Sequence, residues 1–184
     1  KELDANIFLS RLSGHGREYP GSKQMSAENY LKDTSEAIEI AKRIGHKVIL
    51  IGFSLGGALT TAASFDDELS KELHGVVLFA PAYVGTITNY SMWLYAMSFL
   101  DKINLDCNDY INDKKKYDCT KYSTNVFETS DGVEGGRIMS AVAEKDFSEN
   151  KIPALSFFDY DDDVLNSYET EKRLDRWGNK KSKI

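Results

Sequence analysis

The 184-residue chain is poor in the features that mark several protein classes. It has two cysteines, Cys107 and Cys119, and no Cys-x-x-Cys spacing, so a zinc site is not expected. No apolar run approaches the roughly 18 residues that a membrane span needs. We find no internal repeat and no low-complexity tract longer than Lys114–Lys116. These absences argue against a membrane-spanning protein, a repeat protein and a protein with a structural zinc site.

Basic residues are also scarce relative to acidic ones. The chain has 23 Lys and Arg against 29 Asp and Glu, a formal net charge of −6. Nucleic acid and anionic membrane surfaces are therefore not expected as main partners. With 41% hydrophobic and 28% charged residues, the composition is that of an ordinary globular protein. The length favours one well-cored domain, with room for an inserted segment.

Apolar segments and turn residues predict an alternation of strands and helices. A helix is predicted from an N-cap at Ser26 to Gly45. Its apolar positions are Leu31, Thr34, Ile38, Ala41 and Ile44. Further helices are predicted at Ala58–Ala63 and from Tyr168 to Trp177. Strands are predicted at Asn6–Leu12, Val48–Ile51, Val76–Phe79 and Ala154–Phe158. This order is typical of a parallel α/β sheet, in which the wholly apolar strand Val48–Ile51 would be buried on both faces.

The region between the last two predicted strands, from Val84 to Ile152, does not follow this alternation of strands and helices. We interpret residues 86–150 as a cap inserted into a core formed by residues 1–85 and 151–184. Apolar residues at helical spacing predict a cap helix: Tyr90, Trp93, Leu94, Met97 and Leu100. Its apolar face either packs on the core or covers a site; in the second case Trp93 and Met97 would line an acyl pocket.

One motif carries chemistry. Residues Gly52-Phe-Ser-Leu-Gly56 match G-x-S-x-G and lie between a predicted buried strand and a predicted helix. In this context we expect the serine to occupy a strained turn that exposes its hydroxyl. The residues two before and two after it, Gly52 and Gly56, would approach each other so closely that only small residues fit. The N–H of Leu55, at the start of the helix, would face a developing oxyanion. The motif predicts Ser54 as a nucleophile; the alternative is a chance match.

Together with Asn6–Gly16, which ends in a Gly-His-Gly turn, the segment Lys47–Gly57 resembles the α/β-hydrolase family. The similarity is to bacterial carboxylesterases and lipases of the monoacylglycerol-lipase kind. It runs from about Asn6 to Ile184 and is weakest in the predicted cap. The resemblance implies a mostly parallel central sheet flanked by helices, an inserted cap, and catalysis without a metal or organic cofactor.

The same resemblance places the acid of a catalytic triad after a later strand. Segment Ile152–Leu165 is similar to the family's acid strand, in which the acid is followed by one residue and then Val-Val or Val-Leu. Asp162, followed by Asp-Val-Leu, occupies that position. The neighbouring carboxylates are alternatives: Asp159, Asp161 and Asp163. The acidic turn could instead be solvated or bind a divalent ion, although its spacing does not fit an EF-hand loop.

A base for this triad is missing from the sequence. The three histidines are His15, in the Gly-His-Gly turn, and His46 and His74, which precede strands at the end of the sheet away from Ser54. The resemblance places the histidine after one more strand beyond the acid. We therefore expect the chain to be truncated at both ends, by upward of about 40 residues each, and inactive alone. The second oxyanion donor would also lie outside it.

The sequence thus predicts a carboxylic ester hydrolase acting on small or lipid-like esters through an acyl-enzyme on Ser54. Thioesterase, amidase and peptidase activities remain alternatives because one triad serves all acyl transfers. A hydrolase-fold binding protein without the histidine is another. The polar surroundings of Cys107 and Cys119 favour a local disulfide, which would imply an exported protein.

Overall fold

The computed structural model of the chain describes residues 4–16, 24–86, 103–104, 126–127 and 129–179. Its helices are α1 (Ala27–Ile44), α2 (Leu55–Phe65), α3 (Thr129–Ala143) and α4 (Ser167–Leu174). Its strands are β1 (Val48–Phe53), β2 (Leu73–Phe79), β3 (Ile103–Asn104), β4 (Val126–Phe127) and β5 (Ala154–Phe157). Short 3-10 turns cover Leu69–Glu72 and Phe147–Glu149.

The predicted parallel sheet is present. Strands β1, β2 and β5 lie side by side in that order, and both pairs are parallel. The register sets Phe53 opposite Phe79, and Phe79 opposite Phe157. The carboxyl ends of all three strands therefore meet at one edge of the sheet, where α/β proteins place their sites. Strands β3 and β4 form a separate antiparallel pair.

The predicted strand at Asn6–Leu12 is wrong. Residues 4–12 have no regular secondary structure, and Ile7 and Leu9 are 80% and 87% exposed. A strand requires a neighbour for its backbone hydrogen bonds. Within the described parts of the chain, this segment pairs with no strand, and β1 pairs only with β2.

Helix α1 begins and ends as the sequence predicts, but its buried face differs. The Asn29 N–H donates to the Ser26 side chain over 3.1 Å, and the helix ends before Gly45. Leu31 and Ile44, which the sequence places on the apolar face of the helix, are 45% and 41% exposed. The buried residues are Tyr30, Thr34, Ala37 and Ile38. This stripe also has helical spacing, and it buries the large ring of Tyr30 in place of Leu31.

The core lies on one side of the sheet. Helices α1, α2 and α3 contact one another, and α1 and α2 also contact β1. They share the core with Val76, Leu78 and Ala154 of the sheet. The alternate side chains of the strands point away from these helices. Five of them are 40% to 71% exposed and form what we call the bare sheet face: Ile49, Ile51, Phe53, Phe79 and Phe157.

The bare sheet face corrects the expectation that β1 is buried on both faces. The described connections between parallel strands place their helices on the same side, so the opposite side has no described layer over it. The apolar sequence of β1 is typical of a two-sided strand, but only Val48 and Gly52 are fully buried.

The division of the chain into a core and a cap inserted at residues 86–150 stays a prediction. Its last helix, α3, packs against α2 and contributes Ile138 and Val142 to the core. Trp93 and Met97, predicted for the acyl pocket, lie outside the described residues. The same is true of Cys107 and Cys119, so their disulfide remains a prediction.

We expect Thr170→Val to stabilise the protein. Thr170 is 2% exposed, and its hydroxyl has no hydrogen-bond partner in the described structure. A buried hydroxyl without a partner destabilises the folded state, so its removal should raise the free energy of unfolding by about 1 kcal/mol. Urea denaturation measures this. Thr34→Val is the control, because the Thr34 hydroxyl donates to the Tyr30 carbonyl over 2.8 Å and its loss should bring no gain. A less stable Thr170→Val protein would contradict the prediction.

Candidate active site

Ser54 occupies a strained turn between β1 and α2. Its φ of 51° and ψ of −117° lie in a region that residues other than glycine rarely adopt. Such a conformation costs on the order of 1–3 kcal/mol and persists only where the surroundings enforce it. Here the Ser54 N–H donates to the Phe79 carbonyl over 3.0 Å, and the Ser54 carbonyl accepts from Gly57 and Ala82 over 2.9 and 3.0 Å. The backbone of β2 and its following turn thus fixes the serine.

The hydroxyl of Ser54 is left available by this arrangement. Ser54 is the residue before α2, but its side chain makes no capping hydrogen bond to the helix. The first N–H groups of a helix have no acceptor within the helix, and the helix dipole places positive charge there. Leu55 is the first residue of α2. The half-buried serine therefore lies at a helix end suited to stabilising negative charge.

Two glycines permit the close approaches at this turn, but they are not the two that the motif predicts. A Cβ atom on Gly52 would lie 2.2 Å from the Gly56 carbonyl oxygen and 2.5 Å from Thr60 Oγ1. A Cβ on Gly56 would meet nothing within 4 Å, so the expected crowding at that position is wrong. The crowding involves the backbone of Gly56, which any residue has. Gly57 was missed: its Cβ would lie 2.8 Å from Pro81 Cα.

This difference predicts opposite effects for two alanine substitutions. Gly52→Ala should lower the free energy of unfolding by about 3 kcal/mol, because the new methyl group meets backbone atoms that have no room to move. Gly56→Ala should leave stability unchanged or raise it by up to about 1 kcal/mol, since alanine favours a helix over glycine. Thermal and urea unfolding of the two variants measure this. Similar losses in both would show that the approach at Gly52 is not the constraint.

The acidic turn after β5 holds Asp162 by its backbone. One carboxylate oxygen, Oδ1, accepts the N–H groups of Val164 and Leu165, each over 2.8 Å. Asp162 is half-buried. The alternatives are exposed: Asp159, Asp161 and Asp163. Asp159 accepts a single backbone N–H, that of Asp161, over 3.0 Å. Asp162 is therefore the most firmly oriented carboxylate in the turn.

The turn is also attached to the segment that leaves β2. The Asn166 N–H donates to the Val84 carbonyl over 2.8 Å, and the Thr86 N–H donates to the Val164 carbonyl over 3.0 Å. These bonds flank an antiparallel bridge between Gly85 and Leu165. They hold the loops after β2 and β5 together, at the same edge of the sheet as Ser54.

Among the described side chains, no group of three or more His, Cys, Asp or Glu residues is arranged to hold a metal ion.

Ser54 opens onto a wide groove of about 1640 Å³. The groove follows the edge of β1 that no described strand covers, and it is lined by Ser54, Leu55 and, from the acidic turn, Val164 and Leu165. Asp162 itself is not among its lining residues. Helix α3 contributes residues that the sequence reasoning missed: Gly132, Gly135, Gly136 and Met139. Their spacing of three, four and seven residues places them on one helix face, which was the available signal.

The three histidines lie where the sequence predicts. His46 and His74 are exposed and lie at the amino ends of β1 and β2, at the edge of the sheet away from Ser54. His15 lines the groove, half-buried, with its ring 5.6 Å from the Tyr30 ring in an edge-on contact. Its turn is tied to α1, because Ser13 Oγ donates to the Asp33 carboxylate over 3.1 Å.

The geometry described so far fits a known family. The family profile described as serine aminopeptidase, S33, matches residues 4–183, nearly the whole chain. The chain belongs to this family. The chain has the α/β-hydrolase fold, so the predicted fold class is confirmed. No curated protein sequence matches it.

Solved structures share the fold of this chain. A monoacylglycerol lipase from Paleococcus ferrophilus superposes with a TM-score of 0.62 at 18% identity, over 92% of this chain and 68% of the other. The Saccharomyces cerevisiae monoglyceride lipase gives 0.64 at 12% identity, over 86% and 59%. A metagenome-derived lipolytic enzyme from a study of LipS and LipT gives 0.68 at 21%, over 91% and 66%. The chain thus spans about three fifths to two thirds of their lengths.

Proposed function

We propose that the complete protein is a serine hydrolase that cleaves carboxylic esters through an acyl-enzyme on Ser54. The backbone of Ser54 carries this proposal: a positive φ at a strand-to-helix turn, with the side chain free of capping bonds. The Ser54 Oγ would attack the acyl carbon, and the Leu55 N–H would donate to the resulting oxyanion. The alcohol then leaves, and water releases the acid from the serine.

Asp162 is the proposed acid of this site. Its Oδ1 is occupied by two backbone N–H groups, which fix the carboxylate, while no described residue donates to Oδ2. The second oxygen is therefore available to accept a hydrogen bond from an imidazole N–H. A carboxylate in this role selects the tautomer of the imidazole and stabilises its protonated form.

The base is proposed to be a histidine outside residues 1–184. His46 and His74 are too far along the sheet to serve Ser54, and His15 is engaged in its own turn against Tyr30. The base must lie within hydrogen-bond reach of the serine hydroxyl to take its proton and return it to the leaving alcohol. The relatives with this fold are longer than the present chain, which leaves room for such a residue.

A lipid-like ester is the proposed substrate class. Two of the similar structures are named as lipases for monoacylglycerol or monoglyceride, and the third as lipolytic. The groove at Ser54 is lined by apolar residues that suit an acyl chain: Leu55, Leu59, Met139, Val164 and Leu165. No helix in the described parts of the chain is long and apolar enough to cross a membrane.

The test uses the complete gene product with a fluorophosphonate probe and a panel of substrates. The probe should label Ser54, as located by peptide mass spectrometry, and acyl esters should be cleaved faster than matched thioesters and aminoacyl anilides. Fastest cleavage of aminoacyl anilides would instead indicate an aminopeptidase on the same site. Absence of both labelling and turnover would favour a hydrolase-fold binding protein.

A further inference from the structure

A closed ring of hydrogen bonds joins the start of α2 to the turn after β2. The Ser54 carbonyl accepts the N–H groups of Gly57 and Ala82. The Gly57 carbonyl accepts the hydroxyl of Thr61 over 2.9 Å. Thr61 Oγ1 lies 2.7 Å from the hydroxyl oxygen of Tyr83, the residue after Ala82. We call these five residues the elbow ring.

The direction of the Thr61–Tyr83 hydrogen bond follows from counting protons. Thr61 has one hydroxyl proton, and it donates this proton to the Gly57 carbonyl. Tyr83 must therefore donate to Thr61 Oγ1. Both side chains are almost fully buried, at 0% and 2% exposure, and burial raises the pKa of Tyr83. The phenol thus keeps its proton, and water does not compete for either hydroxyl.

A close backbone contact lies next to the elbow ring. Gly57 lies against Pro81 so closely that a Cβ atom would be 2.8 Å from Pro81 Cα. The preceding residue, Ala80, has a φ of 41°, which is a further strained position in the same turn. The ring of Tyr83 packs edge-on against Phe147, with 5.2 Å between centroids. The Thr61 and Tyr83 hydroxyls lie behind these two strained turns and add a side-chain link to the backbone hydrogen bonds that join them.

We propose that Thr61 and Tyr83 are positioning residues for the reaction at Ser54. Their hydrogen bond holds the first turns of α2 against the turn after β2, and so sets the direction of the Leu55 N–H and the Ser54 hydroxyl. Neither side chain lines the groove, so they act through the backbone of Ser54 and not on the substrate. This inference rests on the proposed function of Ser54.

The experiment compares hydroxyl deletions inside and outside the ring in the complete protein. Thr61→Val should lower kcat about tenfold and leave KM within about twofold, because small misplacements of a catalytic group slow the chemical step. Thr61→Ser keeps the hydroxyl and should restore kcat. Tyr83→Phe should cause a smaller loss, since Thr61 still donates to Gly57. Thr61→Val combined with Tyr83→Phe should be no worse than Thr61→Val alone, because the two partners share one interaction.

Ser64→Ala is the matched control. Ser64 is a buried residue of α2 whose hydroxyl donates to the backbone carbonyl of Thr61 and accepts from Asn150, and neither bond is one of those that close the elbow ring. It should lower the melting temperature without changing kcat. Fluorophosphonate labelling rates, measured well below the melting temperature of each variant, should follow kcat. If Thr61→Val does not fold, Tyr83→Phe carries the comparison with Ser64→Ala.

Two results would overturn the inference. One is an unchanged kcat in Thr61→Val and Tyr83→Phe; the other is a loss of kcat in Ser64→Ala that matches theirs, which would show a general effect of stability. Ser54→Ala in the same assay separates this inference from the proposed function. If Ser54→Ala is inactive and Thr61→Val is not impaired, only the inference fails. If Ser54→Ala keeps its activity, the proposed function fails.

Discussion

Ser54→Ala is expected to lower kcat for ester hydrolysis by the complete protein by about 10⁶-fold, the typical loss when a serine nucleophile is removed. Alanine has no oxygen to attack the acyl carbon, so only the groove and the Leu55 N–H would still act on the substrate. KM should change little, because the hydroxyl contributes little to ground-state binding. Initial rates with a soluble ester, supported by circular dichroism to verify folding, measure this.

Ser148→Ala provides the control for this substitution. The Ser148 hydroxyl donates to Asp146 on the surface, in the 3-10 turn before β5, and takes no part in the groove. Its removal should leave kcat and KM as they are. A Ser54→Ala protein that keeps a tenth or more of its activity would show that another group is the nucleophile.

Asp162→Asn is expected to lower kcat by about 10⁴-fold, as in other triads whose acid is made neutral. The asparagine oxygen still accepts the N–H groups of Val164 and Leu165, so the turn should keep its shape. The negative charge is lost, and with it the stabilisation of a protonated imidazole. The pKa of the base should fall, so the acid limb of the pH profile for kcat/KM should move to lower pH.

The neighbouring carboxylates test the register of this assignment. Asp159→Asn also keeps an oxygen for its single backbone donor, the N–H of Asp161, and therefore matches the Asp162 substitution closely. Asp159→Asn and Asp163→Asn should each leave kcat within about twofold, since neither carboxylate is fixed as Asp162 is. A large loss in either variant, with normal activity in Asp162→Asn, would move the acid role to that residue.

Local signals in the sequence determined the parts of the fold that were predicted correctly. Ser26 and Gly45 mark the ends of α1 because capping depends on residues close in sequence. The G-x-S-x-G motif identified the turn at Ser54 for the same reason. Within α1, however, two stripes had helical spacing, and only the neighbouring elements decide which one is buried.

The incorrect or missing predictions concern contacts between distant segments. Whether Asn6–Leu12 forms a strand depends on a neighbouring strand, which the segment's own sequence does not specify. Thr61 and Tyr83 are 22 residues apart, and their pairing follows from the approach of α2 to the turn after β2. The same approach explains why residue 57 is a glycine, because Pro81 leaves no room there for a Cβ atom. The sequence near the helix start does not reveal this contact.

The bare sheet face determines how this part of the fold could be handled as a separate scaffold. At β1, an edge that no described strand covers lies beside an apolar surface, and these two properties let sheets of different molecules pair and aggregate. A protein engineer would therefore begin at Ile49, Ile51 and Phe53. None of the three side chains belongs to the core that holds α2 behind Ser54, but all three line the groove at Ser54, so lysine or threonine at these positions would also make that groove more polar.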